Sequence, residues 1–331
     1  DLGQEVRLVD AKGATTGGFP ASVFARMTHN RYTSLPRGDL AQIIYTAVKD
    51  KVETLFGDSI THITDTGSEV DVVLESGTRR SFDLLVGADG LHSNVRRLLW
   101  GDQSQFERPL GYYVAAFRAK GYAKRDDDVY VTYAEPGRSL SRFSMRDDDT
   151  LFLFIFAVDQ LPGAEPHDPA GRKAALRAVF GASGWEAPQI LAALEASRDE
   201  LYFDRVSQIE VPRWTKGRTV LMGDAAACCS LLAGEGTGLA MTEAYVLAGE
   251  LEKAGGDVPA ALAAYEAQLR PFILSKQKAA RAFASSFTPK TEFGLWLREK
   301  ATDLMAFPAL AELLLGPSLK DDFDLPDYPG L

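Results

Sequence analysis

The stretch Val220-Leu221-Met222-Gly223-Asp224-Ala225-Ala226, followed by Ala233-Gly234-Glu235-Gly236-Thr237-Gly238-Leu239 and a long helical run, decides the fold. A short apolar strand that ends in Gly-Asp, crosses a glycine-rich loop and opens a helix brings backbone N–H groups to one place. The positive end of the helix dipole arrives there too, which makes the spot suited to an anionic group. The glycines let the backbone approach a flat ligand closely, and the ionised Asp224 is acceptor-only, matched to ribose or polyol hydroxyls. Phe82-Asp83-Leu84-Leu85-Val86-Gly87-Ala88-Asp89-Gly90 is a second run of the same kind, again ending in a carboxylate beside a glycine. In open α/β sheets, ligands bind at the carboxyl ends of the strands, so two such ends point to a cofactor site.

Working outward, 331 residues with 46% hydrophobic and 25% charged residues describe an ordinary globular protein large enough for one large or two ordinary domains. A formal charge of -10 argues against nonspecific binding to nucleic acid or anionic membrane. No apolar stretch is long enough for stable membrane insertion, and Asp1-Leu2-Gly3-Gln4-Glu5 does not resemble a signal peptide, so the expected location is the cytoplasm. The two cysteines, Cys228 and Cys229, are neighbours without accompanying histidine ligands, so we expect no metal and two small packed side chains.

Before the first motif, Glu5 to Asp10 reads as a strand, and Gly38 to Val48 has helical apolar spacing that leaves Arg37 at the helix start with Asp39 as its cap. Ile60 to Thr64 and Glu69 to Glu75 alternate like solvent-facing hairpin strands. Arg79 to Ala88 continues as a strand, with Leu84-Leu85-Val86 expected to be buried on both faces, and Leu91 to Leu99 reads as a helix. The middle of the chain is β-rich: Tyr112 to Arg118, Val129 to Tyr133, Leu140 to Arg146 and Leu151 to Val158. Its connectors are Asp126-Asp127-Asp128, Glu135-Pro136-Gly137 and Asp147-Asp148-Asp149, which indicates an antiparallel meander. Phe152, Phe154 and Phe156 share one strand face, and Tyr113 and Phe117 share another. That aromatic face either lines a substrate pocket or packs on helices. Helices are expected at Pro169 to Phe180, Pro188 to Ser197, Thr237 to Ala254, Pro259 to about Ser286, Phe293 to Met305 and Ala309 to Leu315, before an irregular acidic tail.

Leu85-Val86-Gly87-Ala88-Asp89-Gly90-Leu91-His92-Ser93-Asn94-Val95-Arg96-Arg97 resembles the Asp-Gly motif of the class A flavoprotein monooxygenases, the para-hydroxybenzoate hydroxylase family. Arg218 to Ala226 and Ala233 to Met241 resemble its Gly-Asp motif and flavin loop. The likeness runs from about Arg37 to the acidic tail and is nearest to tetracycline-inactivating and polyketide-modifying hydroxylases. It implies FAD as cofactor, NAD(P)H as reductant, and O2 added to reduced flavin as a hydroperoxide that hydroxylates an aromatic or polyketide-like small molecule. By position it places Asp89 and Gly90 near the FAD pyrophosphate, Gly223 and Asp224 at the ribityl chain, and Arg37 against FAD. Gly234, Glu235, Gly236, Thr237, Gly238 and Leu239 would border the isoalloxazine ring. No side-chain nucleophile is required, so no catalytic residue is assigned, and His29, His62, His92 and His167 form no triad pattern.

Two departures from the family pattern stand out. Prolines usual before the Ala-Gly loop are replaced by Ser230-Leu231-Leu232, which makes Leu232 a candidate substrate contact. The opening strand with its Gly-x-Gly-x-x-Gly turn does not occur in this sequence. A βαβ unit of that kind needs roughly 30 residues, and without it Leu84-Leu85-Val86 and Val220-Leu221-Met222 are expected to flank an empty sheet position. The expectation is therefore that this sequence is the later part of a longer enzyme, or that another chain completes the FAD site.

The architecture implied is α/β: a Rossmann-like FAD/NAD(P)-binding domain with an inserted antiparallel substrate sheet and C-terminal helices. The divisions are residues 1–100 and 206–270 for the FAD-binding domain, 101–205 for the substrate sheet, and 271–331 for the helical region and tail. Two alternatives share the shell: a noncatalytic ligand-binding protein, and a flavin-dependent halogenase or reductase. The halogenase is disfavoured by the absence of a Trp-x-Trp-x-x-Pro segment.

Overall fold

The computed structural model describes residues 5–23, 35–123, 126–231, 234–305 and 323–330, with residues 282–287 described as backbone only. The expected helix at 309–315 lies outside the described residues. The chain divides into two compact units. One draws on Asp1–Ser34, Gly111–Val206 and Phe283–Lys320, and the other on Leu35–Leu110, Ser207–Ala282 and Asp321–Leu331.

The first unit is built on a seven-stranded sheet. In chain order its strands are β1 (Glu5–Val9), β2 (Thr15–Pro20), β7 (Glu107–Lys120), β8 (Val129–Glu135), β9 (Arg138–Ser144), β10 (Asp149–Ala157) and β11 (Tyr202–Ile209), arranged in space as β11-β7-β10-β9-β8-β1-β2. The meander β8-β9-β10 follows the acidic and Pro-Gly connectors. Asp128, Asp147 and Asp148 take positive φ angles of 62°, 56° and 61°, which short polar residues tolerate in turns. Gly137, at φ +76°, closes the two-residue turn between β8 and β9. Strand β7 then pairs with β10, Phe117 facing Phe152 and Tyr113 facing Phe156 across the ladder.

The first strand departs from the sequence grouping. Instead of joining the segments up to residue 100, β1 pairs parallel with β8, Arg7 beside Val131 and Val9 beside Tyr133, and antiparallel with β2. Local pattern identifies a strand but carries no information about which distant strand completes its hydrogen bonds. Helices α3 (Pro169–Phe180) and α4 (Ala187–Ala196) belong to this unit, and Asp168 caps α3 by accepting from the Gly171 N–H. Helix α8 (Glu292–Leu304) is capped by Thr291 and lies against β2, where Thr16 donates to Glu299.

The second unit holds two small sheets. Strands β3 (Ile60–Asp65), β4 (Val70–Leu74) and β5 (Arg79–Phe82) form an antiparallel hairpin sheet. Strands β6 (Leu85–Gly87), β12 (Thr215–Lys216) and β13 (Thr219–Leu221) form the other, in the order β12-β13-β6. The run Arg79 to Ala88 is thus two strands in different sheets, broken at Asp83-Leu84. Helices α1 (Arg37–Val48), α2 (Asn94–Leu99), the one-turn α5 (Asp224–Ala227), α6 (Gly236–Lys253) and α7 (Val258–Phe287) complete the set.

The core of this unit forms around β13, α5, α6 and α7: Val220, Leu221, Ala225, Val246, Tyr265, Leu269 and Ile273 are all fully buried. On α7, Leu262, Tyr265, Leu269 and Ile273 recur at helical spacing and form a core face. Helix α1 forms where its spacing predicts, yet none of its residues is buried, and Ile43 and Ile44 are 58% and 47% exposed. Asp39 is not its cap. Pro36 occupies that position without a side-chain hydrogen bond, and Asp39 sits in the first turn, where its charge favours the helix dipole. Among the described residues, no helix is long and apolar enough to cross a membrane.

Candidate functional site

Strands β6 and β13 are direct parallel neighbours: Thr219 pairs with Leu85, Val220 with Val86 and Leu221 with Gly87, and the Met222 N–H donates to the Gly87 carbonyl at 3.0 Å. The expected empty position between them does not exist. Among the described residues the far side of β6 has no strand partner, and Leu84, Leu85 and Val86 are half-buried, where the sequence predicted burial on both faces. The consequence for the site is direct. Because the two strands run parallel and adjacent, Gly87-Ala88-Asp89-Gly90 and Met222-Gly223-Asp224 leave the same sheet edge side by side.

At the β13 end, Gly223 takes φ +58° and ψ −142°, a conformation open to glycine, and this turns the chain into α5 with Asp224 as its first residue. An added Cβ on Gly236 would lie 3.6 Å from Asp224 Oδ1, so the Asp224 carboxylate sits beside the N-terminal turn of α6. The dipole at that turn favours negative charge. Among the described residues, and apart from chain neighbours and nearby helix backbone, no heavy atom lies within 4 Å of the position a Cβ would take on Gly90, Gly234 or Gly238. Glu235 and Gly236 are half-buried, Thr237 is exposed, and Leu239 is buried in the core of the unit. Leu232 lies outside the described residues. Arg37 is exposed at the first position of α1, with no described contact to the Asp89 or Asp224 turns.

Asp89 serves its own helix. One oxygen accepts from Ser93 Oγ at 2.5 Å and the other from the Val95 N–H at 2.9 Å, while Ser93 caps α2 by accepting from the Arg96 N–H. The carboxylate therefore braces the turn that carries Gly90, which has φ +82°.

Four polar side chains that sequence reasoning did not assign hold this arrangement together. Arg96 is fully buried. It donates from Nη1 to the Ala225 carbonyl at 2.9 Å and from Nη2 to the Leu91 carbonyl at 2.6 Å, tying the Asp-Gly turn to the Gly-Asp helix. Burial pulls its guanidinium below the usual range, and the charges of Asp89 and Glu107 act against that. Gln208 and Gln277, also fully buried, are crossed. Gln208 donates to the Cys229 and Gln277 carbonyls, and Gln277 donates to the Ile209 and Cys228 carbonyls, which pins the loop after α5. Glu243 on α6 is 1% exposed and accepts from the Gly223 N–H at 2.6 Å and from the Tyr265 hydroxyl at 3.0 Å. Burial, with a further push from Asp224, raises its carboxyl to about 7. Cys228 and Cys229 are free and buried, and burial raises both thiols well above the usual range, so neither is a reactive thiolate. Among the described residues no cluster of His, Cys, Asp or Glu is disposed to hold a metal.

The aromatic candidates resolve to packing. Phe152, Phe154 and Phe156 are 0% exposed and Tyr113 and Phe117 nearly so, all within one core with Leu176, Val179, Phe180, Ile190 and Leu194 of α3 and α4. The rings fill the space themselves: Phe117 stacks on Phe152 at 4.9 Å, and Phe154 meets Phe180 edge-on at 5.0 Å. These five residues are the floor under α3 and α4 and wall no pocket. Alternation shows that they share a face but not what covers it. Replacing Phe154 with Leu is expected to lower stability by about 1 to 2 kcal/mol in denaturant titrations and to leave cofactor affinity unchanged.

A family model described as an FAD binding domain matches residues 10–278. The chain belongs to the class A flavoprotein monooxygenases. It is 37% identical over 244 residues to an uncharacterised protein of Mycobacterium tuberculosis, a match covering 73% of this chain and 65% of that relative. The chain thus spans about two thirds of the length of the relatives of this kind. An FAD-dependent monooxygenase of Sarocladium schorii is 32% identical, over 98% of this chain and 81% of its own. Among solved structures, a tetracycline destructase superposes with a TM-score of 0.79 at 29% identity, covering 98% of this chain and 81% of that one. The residues present fit the family's cofactor: side-chain-free backbone at Gly90, Gly234 and Gly238 leaves room for a flat group, and Asp224 offers a carboxylate beside a helix N-terminus.

Proposed function

We propose that this chain carries the flavin site of an NAD(P)H-using monooxygenase that hydroxylates an aromatic or polyketide-like small molecule with O2. The observation that supports this most is the direct pairing of β6 with β13, which brings two glycine-carboxylate turns and a glycine-lined helix N-terminus to one sheet edge. Once bound and reduced, FAD supplies the oxygen chemistry. The chain's own residues bind and orient. Asp224 accepts from ribityl hydroxyls. The backbone of Gly234 to Gly238 would border the ring, and the α6 N-terminus would favour negative charge there. Asp89 and Gly90 would shape the turn beside the pyrophosphate, and Arg37, exposed at the start of α1, would contact the cofactor.

The substrate is placed on the face of the seven-stranded sheet opposite the five aromatic residues, which α3 and α4 cover. There Ala116, Leu153, Ser141 and Thr132 form a cross-strand row, with Ala116, Leu153 and Thr132 half-buried. The name of the tetracycline destructase supports a polycyclic class. The test is to supply FAD, NADPH or NADH and isotopically labelled O2 with a panel of phenols and polyketides. The expected result is substrate-stimulated NAD(P)H oxidation and one labelled oxygen atom in the product. Reductant consumption that no substrate stimulates, with no label incorporated, refutes the reading.

A further inference from the structure

We propose that Glu243 is the positioning residue of the flavin site, holding the Gly223-Asp224 turn from inside the core through the Gly223 N–H. The proposal rests on the reading of Asp224 as a flavin contact. On α6, Leu239, Glu243, Val246, Leu247 and Glu250 form one buried face, so a carboxyl stands where the core would otherwise take an apolar side chain. One oxygen of that carboxyl, Oε2, receives both the Gly223 N–H and the Tyr265 hydroxyl. Tyr265, on α7, is itself fully buried, so the contact links the turn, α6 and α7. Gly223 needs such a hold, since its φ of +58° and ψ of −142° come from no regular element and its N–H lies outside any helix ladder. The next residue is Asp224, so a shift of this peptide moves the carboxylate.

The titratable groups facing Glu243 are Asp224 from the turn, Tyr265 from α7 and Cys229 from the loop. The carboxyl, raised to about 7, is largely protonated in mild acid and ionises as pH rises. An ionised acceptor holds both donors more strongly than a neutral one. The turn is therefore better fixed, and FAD affinity higher, above pH 7 than below it. The linkage to folding has the opposite sign. A carboxyl whose folded value lies above its unfolded 4.5 stabilises the fold below that value and loses this contribution as pH rises towards 7.

The test compares wild type with Glu243→Gln, Glu243→Ala and Tyr265→Phe, using FAD fluorescence titrations from pH 6 to 8 and hydrogen exchange of the 222–226 segment in the FAD-free protein. Wild type should gain several-fold in FAD affinity across that range. Glu243→Gln keeps an acceptor but does not titrate, so its affinity should be flat with pH and its exchange protection retained. Glu243→Ala should lose at least tenfold in affinity together with protection at 222–226. Tyr265→Phe removes a donor that favours the ionised form, so its affinity inflection should move to higher pH. Glu243→Gln keeping the wild-type pH slope, or Glu243→Ala exchanging and binding like wild type, overturns the proposal. If Glu243→Ala does not fold, the Gln and Phe profiles decide. Failure of wild type to bind FAD at any pH overturns the flavin reading instead, and the exchange data still judge the hold on the turn.

Discussion

Asp224→Ala is expected to weaken FAD binding by about 10- to 100-fold, the cost of losing one or two hydrogen bonds to an ionised acceptor, while leaving the fold intact. The side chain is half-buried at the first position of a one-turn helix, outside the apolar core, so its removal opens no cavity there. Asp224→Asn keeps an acceptor oxygen and should recover part of the loss. Equilibrium titration of FAD fluorescence, with circular dichroism as the fold control, measures both. Asp89→Ala should act differently, because the two Asp89 oxygens are committed to Ser93 and Val95 of its own turn. Equal effects of the two alanine variants on affinity, with neither altering stability, would contradict the division of labour described above.

The second large effect is expected at Arg96. Its guanidinium is fully buried and joins the Leu91 and Ala225 carbonyls, one after each strand end. Arg96→Met keeps much of the volume but strands those two carbonyls and removes a positive charge that Asp89 and Glu107 feel. Leaving two backbone acceptors unpaired costs about 2 to 4 kcal/mol, to be read from the denaturant midpoint at unchanged slope. Arg96→Lys should rescue less than half of that, since an ammonium is a point charge and lacks the planar fork that reaches both carbonyls. A loss below about 1 kcal/mol for Arg96→Met would mean that the two turns are held by other contacts.

Much of the site was legible because its signals are local. Gly-Asp after a short apolar run, three alternate glycines and a following helix describe β13, α5 and α6 without any long-range information. The acidic connectors likewise announced turns, and Asp128, Asp147 and Asp148 adopt the positive φ angles that such residues tolerate. What escaped is what depends on partners. The adjacency of β6 and β13 is a pairing of residues about 134 apart in the chain, and no local pattern encodes it. The pairing of β1 with β8 escaped for the same reason. The face shared by Phe152, Phe154 and Phe156 follows from strand alternation, but its cover by α3 and α4 does not. Arg96 looked like an ordinary charged residue on a short helix, beside the exposed Arg97. Glu243 did leave a trace, as a carboxylate in register with Leu239, Val246 and Leu247 on a buried helix face that also carries Glu250. A charge on the buried stripe of a helix signals a partner in the core.

The hairpin sheet β3-β4-β5 and the exposed helix α1 show how far pattern carries. Helical spacing in α1 is real, and the helix forms, but Ile43 and Ile44 remain exposed. Periodicity states which residues share a face, while burial needs a surface to meet it. That distinction also separates the residues that hold the proposed cofactor turn from those proposed to touch the cofactor. Arg96, Gln208, Gln277 and Glu243 are buried and committed to backbone groups. Gly90, Gly234, Gly238 and Asp224 keep space or an acceptor facing outward.

The most direct test of the central claim, that the paired ends of β6 and β13 form a flavin site, is a titration of the purified chain with FAD followed by flavin absorbance and fluorescence. The account predicts saturable one-to-one uptake with a perturbed flavin spectrum, weakened at least tenfold by Asp224→Ala. A wild-type protein that takes up no FAD, or one whose uptake is indifferent to Asp224→Ala, would contradict it.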